Sequence, residues 1–377
     1  EIRLSLVGSE MCIRDSGYRW SVGSLSINGY EYSLVQGGIS GNTNDWYLTS
    51  EASQVAPEGG AYIGTQQATR TMFDHGLQDR ASKRSLGADR QDSGLWMRAQ
   101  GRHDKGMRMA EGKVDIDSSS DVVQMGGALL RRPVGAQGAL YAGLMAGYGD
   151  ARIDSTSTLM RRDTNTAVRA KAHGKVSGYS AGVYGTFYAD DVNRLGAYVD
   201  TWLQYGRYTN RLSSELGSAD YDSNLWSASL ESGYALAPFA ADSPFRAWVV
   251  EPRGQLIYSR YTARAADLQD TRLRNGTADA WRSSIGVRLY QQPGQAADES
   301  VLRPFVETNW LHSEAVPSVR MGSNSFDARP SRDALELKVG AQLRVARDVE
   351  LSSHLFGHSG SASEYGYGGQ LSLSYSW

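Results

Sequence analysis

From Leu95 to Trp377 the chain is a near-continuous succession of short runs in which apolar and polar residues alternate one for one, and this period of two is its strongest constraint. The cleanest run sets Leu335, Leu337, Val339, Ala341, Leu343 and Val345 against Glu336, Lys338, Gly340, Gln342 and Arg344. Trp281, Ile285, Val287 and Leu289 stand likewise against Arg282, Ser284 and Arg288, and the last run repeats the pattern. Successive side chains of an extended strand point to opposite faces, so each run makes a strand with one apolar and one polar face. Twelve runs begin near Trp96, Asp121, Leu140, Ser177, Leu195, Asp222, Phe245, Ala278, Val301, Ser331, Asp348 and Tyr365. The expected fold is therefore all-β, a twelve-stranded antiparallel barrel.

Whether the apolar face meets a protein core or a bilayer is a separate question. No stretch of about 18 apolar residues occurs, which excludes a membrane-spanning helix. A transmembrane barrel needs only strands of about 9 to 11 alternating residues, and it tolerates a mean hydropathy of −0.45. Aromatic residues on the apolar face, namely Tyr179, Phe187, Trp226, Tyr234, Trp248, Tyr258, Trp281, Trp310, Tyr375 and Trp377, fall mostly near run ends, where interfacial girdles place them. With one Cys in the chain and no linker dividing the runs, a pair of soluble sandwiches is disfavoured. The balance of 39 basic and 41 acidic residues argues against a nucleic-acid partner.

Ahead of the runs, residues 1–16 read as a non-native, adaptor-like tail, and residues 17–51 as short strands with a hairpin turn at Asn28-Gly29 and another at Gly37-Gly38. The chain reads as the C-terminal piece of something longer. Residues 52–94 form a linker whose segment Pro57–Leu86 predicts one long helix, opened by Pro57-Glu58. Arg70, Asp74, Asp79 and Arg80 on that helix cannot face lipid, where each central charge costs about 2.5–3.5 kcal/mol. A helix of about 25 residues, roughly 38 Å long, could instead thread a polar lumen and largely close it.

These parts, in this order, resemble the C-terminal translocator of monomeric (type Va) autotransporters. The resemblance rests on YEYSLVQGG from Tyr30 and DWYLTS from Asp45, similar to the end of a passenger β-helix. It rests too on Pro57, Glu58, Ala61, Tyr62, Phe73, Leu77, Asp79 and Arg80 in the linker helix. Leu95-Trp96-Met97-Arg98 with Gly101, Glu251-Pro252 through Tyr258, and Arg303-Pro304-Phe305 with Asn309-Trp310 resemble the family's strands. The resemblance implies an outer-membrane barrel over residues 95–377 in a Gram-negative cell, preceded by a β-helix remnant. It also implies type V secretion, in which the barrel anchors and exports an N-terminal passenger to the cell surface. Tyr62, Arg70, Phe73, Asp74, Asp79 and Arg80 become the lumen helix, and by their facing on the strands Glu251, Arg253, Glu307, Glu336, Lys338 and Arg344 are its candidate wall partners. Leu371, Leu373, Tyr375 and Trp377 become the signal read by the barrel-assembly machinery. The implied partners are the bilayer, that machinery and the passenger; the barrel is a monomer without cofactor. The family's self-cleaving subgroup carries an Asn-Asn junction in the helix, whereas no Asn lies between Pro57 and Leu86.

Catalytic, cofactor and metal sites are not expected. Gly178-Tyr179-Ser180-Ala181-Gly182 fits G-x-S-x-G, but its strand continues where a nucleophile elbow must turn into a helix. Gly106–Lys113 has the wrong spacing for a phosphate loop, and His354 and His358 are four residues apart on a strand, roughly 13 Å. A barrel enzyme, protease or lipase, with a rim site at His103-Asp104 or Asp190-Asp191 is one alternative, and a diffusion porin is another.

Overall fold

The computed structural model describes residues 4–7, 10–13, 25–36, 46–80, 94–161, 166–240, 242–268, 271–292, 302–346, 348–361 and 363–376. Five N-terminal strands, β1 (Leu4–Val7), β2 (Glu10–Ile13), β3 (Leu25–Ile27), β4 (Tyr30–Gln36) and β5 (Trp46–Val55), pair in the order β1-β2-β5-β4-β3. Asn28 and Gly29 join β3 to β4 with φ of 51° and 90°, the doubly left-handed turn that an Asn-Gly pair adopts at least cost. The Gly37-Gly38 turn, Trp377 and residues 81–86 of the expected helix lie outside the described residues.

Two helices follow, α1 (Glu58–Thr71) and α2 (Leu77–Arg80). Then come β6 (Gly94–Met109), β7 (Val114–Val134), β8 (Gly138–Arg161), β9 (Thr166–Tyr188), β10 (Gly196–Ser214), β11 (Gly217–Ala235) and β12 (Trp248–Ala263). Short strands β13 (Ala266–Leu268) and β14 (Thr271–Asn275) precede β15 (Asp279–Gln291) and β16 (Leu302–Ser313). Two more short ones, β17 (Ser318–Met321) and β18 (Asn324–Asp327), precede β19 (Asp333–Ala346), β20 (Val349–Gly360) and β21 (Tyr365–Ser376). The twelve long strands close into one antiparallel barrel, sealed where β21 pairs with β6 from Tyr365↔Lys105 to Ser376↔Gly94. The all-β, twelve-stranded architecture expected from the alternation is the one observed.

Wall height is uneven, because β7, β8 and β9 have 21, 24 and 23 residues whereas β15, β16, β20 and β21 have only 12 or 13. At about 3.3 Å per residue, the longest strands far exceed a hydrocarbon layer of about 30 Å. The burial pattern shows where they leave it. In the lower wall Leu144, Val183, Leu203, Leu230, Val339 and Leu355 are exposed on the outside, while Gln124, Ser180, Gln204 and Glu231 face inward. Higher up, the apolar phase inverts: Ile116, Ile153, Val176, Leu212 and Tyr221 point inward, and Arg152, Lys175 and Arg211 point out. A wall with lipid outside needs the first arrangement, and a wall with water outside needs the second.

Outward-facing aromatics mark the change, with ring pairs Tyr148–Tyr179, Tyr205–Trp226 and Tyr258–Trp281 at 5.0, 4.7 and 4.8 Å between centroids. On β11 the opposite aromatic, Tyr234, comes eight residues after Trp226, about 26 Å along the strand and about 20 Å along the normal at a 40° tilt. That is the scale of the apolar band of an outer-membrane barrel.

Candidate functional site: the occupied lumen

Residues 55–80 run inside the cylinder, from the tall rim toward the end at which β6 begins. The expected single helix is instead two. α1 spans 14 residues, about 21 Å, and the chain leaves the helical path between Met72 and Gly76. The break is held by the wall as well as by local contacts, in which Asp74 N donates to the Thr71 carbonyl at 3.1 Å and Gly76 N donates to Asp79 at 2.9 Å. Arg282 Nη2 donates to the Arg70 carbonyl at 3.0 Å, while Trp202 Nε1 and Gln255 Nε2 donate to the His75 carbonyl at 3.2 and 2.8 Å. Carbonyls that a continuing helix would have used are thus satisfied by strands.

α1 lies above the aromatic ring, in the chamber with apolar walls. Its Gly60 faces Ser155 and Val114, and Gly64 faces Ile153, so closely that a Cβ at either position would collide with them. Tyr62 stacks on Tyr221 with centroids 5.1 Å apart, and Thr65 Oγ1 lies 2.6 Å from the Tyr221 hydroxyl. Arg70 donates to the Thr277 and Ala278 carbonyls at 2.6 and 3.1 Å, and Gln66 bonds Asn275. Phe73 is buried beside Gly147, level with the aromatic ring, with Tyr208 6.4 Å away between centroids.

Below that level the contacts become ionic. Asp74 pairs with Arg282 at 2.6 Å, Leu77 N donates to Glu231 at 2.9 Å, and Gln78 donates to Glu251 at 2.8 Å. Asp79 faces Lys338 at 3.3 Å, accepts from Gly76 N at 2.9 Å, and offers its carbonyl to Gln370 and Ser372. Arg80 pairs with Asp200, donates to Thr186 at 3.2 Å, and sits 4.1 Å above the Tyr184 ring. Behind these runs a wall network in which Arg253 bridges Glu231 at 3.4 Å and Glu307 at 2.9 Å, and Lys338 also reaches Glu307 and Glu336. Asp74, Asp79, Arg80 and Arg253 each meet an opposite charge, without which their burial would be prohibitive. Beside this column an open cavity of about 220 Å³ separates residues 67–79 from β12, β15, β16 and β19 to β21.

Of the wall residues expected by facing, Lys338, Glu251 and, at Gly76, Arg253 lie directly against the threaded segment, while Glu307 and Glu336 act behind them. Arg344 faces Arg303 and Glu350 instead. Sequence reasoning missed Asp200, Glu231 and Arg282, whose register to the linker no local pattern encodes. It also missed the Gly60 and Gly64 facet, for which the spacing of four was a readable signal. Leu371, Leu373 and Tyr375 are exposed on the outer wall. Gly178–Gly182 lies mid-strand in β9. Asp191 is tied to Arg131 at 2.6 Å and Arg194 at 3.1 Å.

At the tall rim β13, β14, β17 and β18 form a separate four-stranded sheet that meets the N-terminal sheet. Tyr30 packs edge-on against Phe326 at 5.3 Å, Asn28 N donates to Thr271 at 3.2 Å, and Asn324 donates to the Asn28 carbonyl at 3.0 Å. A barrel with a lipid-facing band and a lumen threaded by the chain that precedes it is a membrane-embedded translocator bearing a passenger. The autotransporter β-domain family matches residues 95–354, and the chain belongs to that family. It is an outer-membrane translocator of type V secretion in Gram-negative bacteria.

The chain is 28% identical to the uncharacterized protein YdeU of Escherichia coli K12, over 95% of this chain and 82% of that protein. It is 25% identical to the E. coli autotransporter adhesin AIDA-I over 92% of this chain, spanning only 28% of the adhesin's length. The crystal structure of the AIDA-I transport unit superposes with a TM-score of 0.73 at 22% identity, covering 86% of this chain and all of that one. The translocator domain of NalP from Neisseria meningitidis gives 0.54 at 14% identity, over 84% and 96%.

Proposed function

We propose that this chain has already exported its passenger and stands in the closed, anchored state, with residues 17–51 as the passenger's end outside the cell and residues 58–80 as the plug. The observation that carries this is the course of the chain. The N-terminal sheet abuts loop strands at the tall rim, and the lumen segment leads from there toward the start of β6. Tyr62, Arg70, Phe73, Asp74, Asp79 and Arg80 hold the plug. The barrel works as a monomer, since every long strand already has two neighbours. It performs no catalysis, and Leu371, Leu373, Tyr375 and Trp377 present the assembly machinery with an apolar terminal strand.

Protease treatment of intact cells tests the direction. Cleavage between residues 17 and 51 while the barrel survives supports the reading. Protection of that segment in intact cells, with cleavage only after the outer membrane is permeabilised, refutes it.

A further inference from the structure

Just beyond the aromatic ring, the outer face of β9 and β10 carries an unbalanced set of cations. Outward positions of β9 above Tyr179 are Ser177, Lys175, His173, Lys171 and Arg169, and those of β10 above Tyr205 are Arg207, Thr209 and Arg211. Neither strand presents an acid there. In register, Arg152 of β8 lies opposite Lys175, and Lys175 lies opposite Arg211, so three cations stand side by side. Directly opposed like charges destabilise a sheet. Some outward cations elsewhere have an acidic partner, as in Arg260–Asp279 and Arg264–Asp222, and here Arg211 has Asp220 at 2.7 Å while His173 has Asp154. Arg152, Lys175, Arg207 and Lys171 have no carboxylate partner among the described residues. Of the acids on the flanking strands, Asp220 and Asp154 are taken up by Arg211 and His173 and Asp222 by Arg264, which leaves those four cations without a counter-charge among the described residues.

Height identifies the counter-charge. Arg207 is level with Tyr179, and the row Arg152–Lys175–Arg211 lies four residues farther out, about 13 Å along the strand and about 10 Å along the normal. With the tall rim outside the cell, the reading proposed above on which this inference rests, that is the headgroup layer of the outer leaflet, which in the outer membrane consists of phosphorylated glycolipid. We infer that the β8–β10 face is a binding site for one such glycolipid. Its acyl chains lie on Leu144, Val183 and Leu203, its disaccharide phosphates meet Lys175, Arg207, Arg211 and Arg152, and its phosphorylated core sugars lie along Lys171 and Arg169. Phosphate is the fitting ligand because charge-assisted bonds from Lys and Arg to its oxygens stabilise most where water is partly excluded.

The test is lipid titration of the purified full chain in micelles, followed by native mass spectrometry. The probes are bisphosphorylated lipid A, the same lipid with both phosphates removed, and phosphatidylglycerol. The variant Lys171→Gln/Lys175→Gln/Arg207→Gln is compared with Lys171→Arg/Lys175→Arg, with heat-modifiable gel mobility confirming that each barrel is folded. Bisphosphorylated lipid A should bind about tenfold more tightly than its dephosphorylated form. The Gln variant should abolish that preference, and the Arg variant should keep it. Three results overturn the site: equal binding of the two lipid A forms, a preference unchanged in the Gln variant, or phosphatidylglycerol or millimolar inorganic phosphate displacing lipid A completely.

Discussion

Replacing Arg80 by Ala should unseat the plug far more than replacing Asp79, although the two are neighbours. Arg80 is almost completely buried, and so is its partner Asp200 at 1% side-chain exposure. Without the guanidinium, Asp200 keeps only the Thr186 hydroxyl at 2.5 Å, and the Tyr184 ring loses its cation. Stranding one member of a buried pair costs about 3–5 kcal/mol, which corresponds to roughly 100- to 4,000-fold in the unplugged population. Asp79→Ala leaves Lys338 with Glu307 at 3.8 Å and Glu336 at 3.9 Å, so its cost should be nearer about 1–2 kcal/mol, roughly tenfold. The assay is conductance of the purified protein in planar bilayers, scored as time spent in a large-conductance state. Arg80→Ala should raise that time by at least two powers of ten, Asp79→Ala by about one, and Arg80→Ala/Asp200→Ala should fall back toward wild type. Equal effects of the two single changes, or a double variant as open as Arg80→Ala, would refute the reasoning that the stranded carboxylate drives the loss.

Gly64→Val should push α1 off Ile153 and cost about 1–3 kcal/mol, read as a lower temperature for loss of the compact band on unboiled gels. Val339→Arg on the lipid face should cost about 2–4 kcal/mol in vesicle unfolding, more than the same change at Val345 near the strand end. In the loop between β20 and β21, burial pushes the Glu364 carboxyl above its ordinary range, although Ser331 N donates to it at 2.6 Å. A folded state that holds this proton more tightly is favoured most below the ordinary carboxylate range and loses that advantage as pH rises through the raised value. Glu364→Gln should therefore flatten the fall in melting temperature between pH 4 and pH 8, and an unchanged slope would remove Glu364 as its source.

The barrel was legible because lipid and a polar lumen impose a strict period of two, and nine of the twelve run starts fall within three residues of a strand start. The other three, at Asp121, Ser177 and Asp222, come late against Val114, Thr166 and Gly217. On β7 and β9 the missing residues are the water-clad ends, where apolar side chains change sides. A search tuned to one phase starts only where the membrane does. Val114 and Ile116 against Val123 and Met125 carry this switch openly in the sequence. Plug contacts were half legible for a different reason: facing predicted that Lys338 and Glu251 look inward, but partners such as Asp200 and Arg282 depend on how far the threaded chain is drawn in. The helix break was illegible because strand residues Arg282, Trp202 and Gln255 cap the Arg70 and His75 carbonyls, and no local pattern encodes them.

Anchors along the threaded segment lie at different heights, on the β14–β15 connection (Thr277 and Ala278 for Arg70) and on four strands (Arg282 for Asp74, Glu251 for Gln78, Lys338 for Asp79 and Asp200 for Arg80). Sliding by a single residue misaligns all of them together, as a key withdrawn by one notch fails every ward of its lock. A half-drawn segment would forfeit these contacts together, so departure is expected to be a discrete event whose rate reflects the summed grip rather than any one tooth.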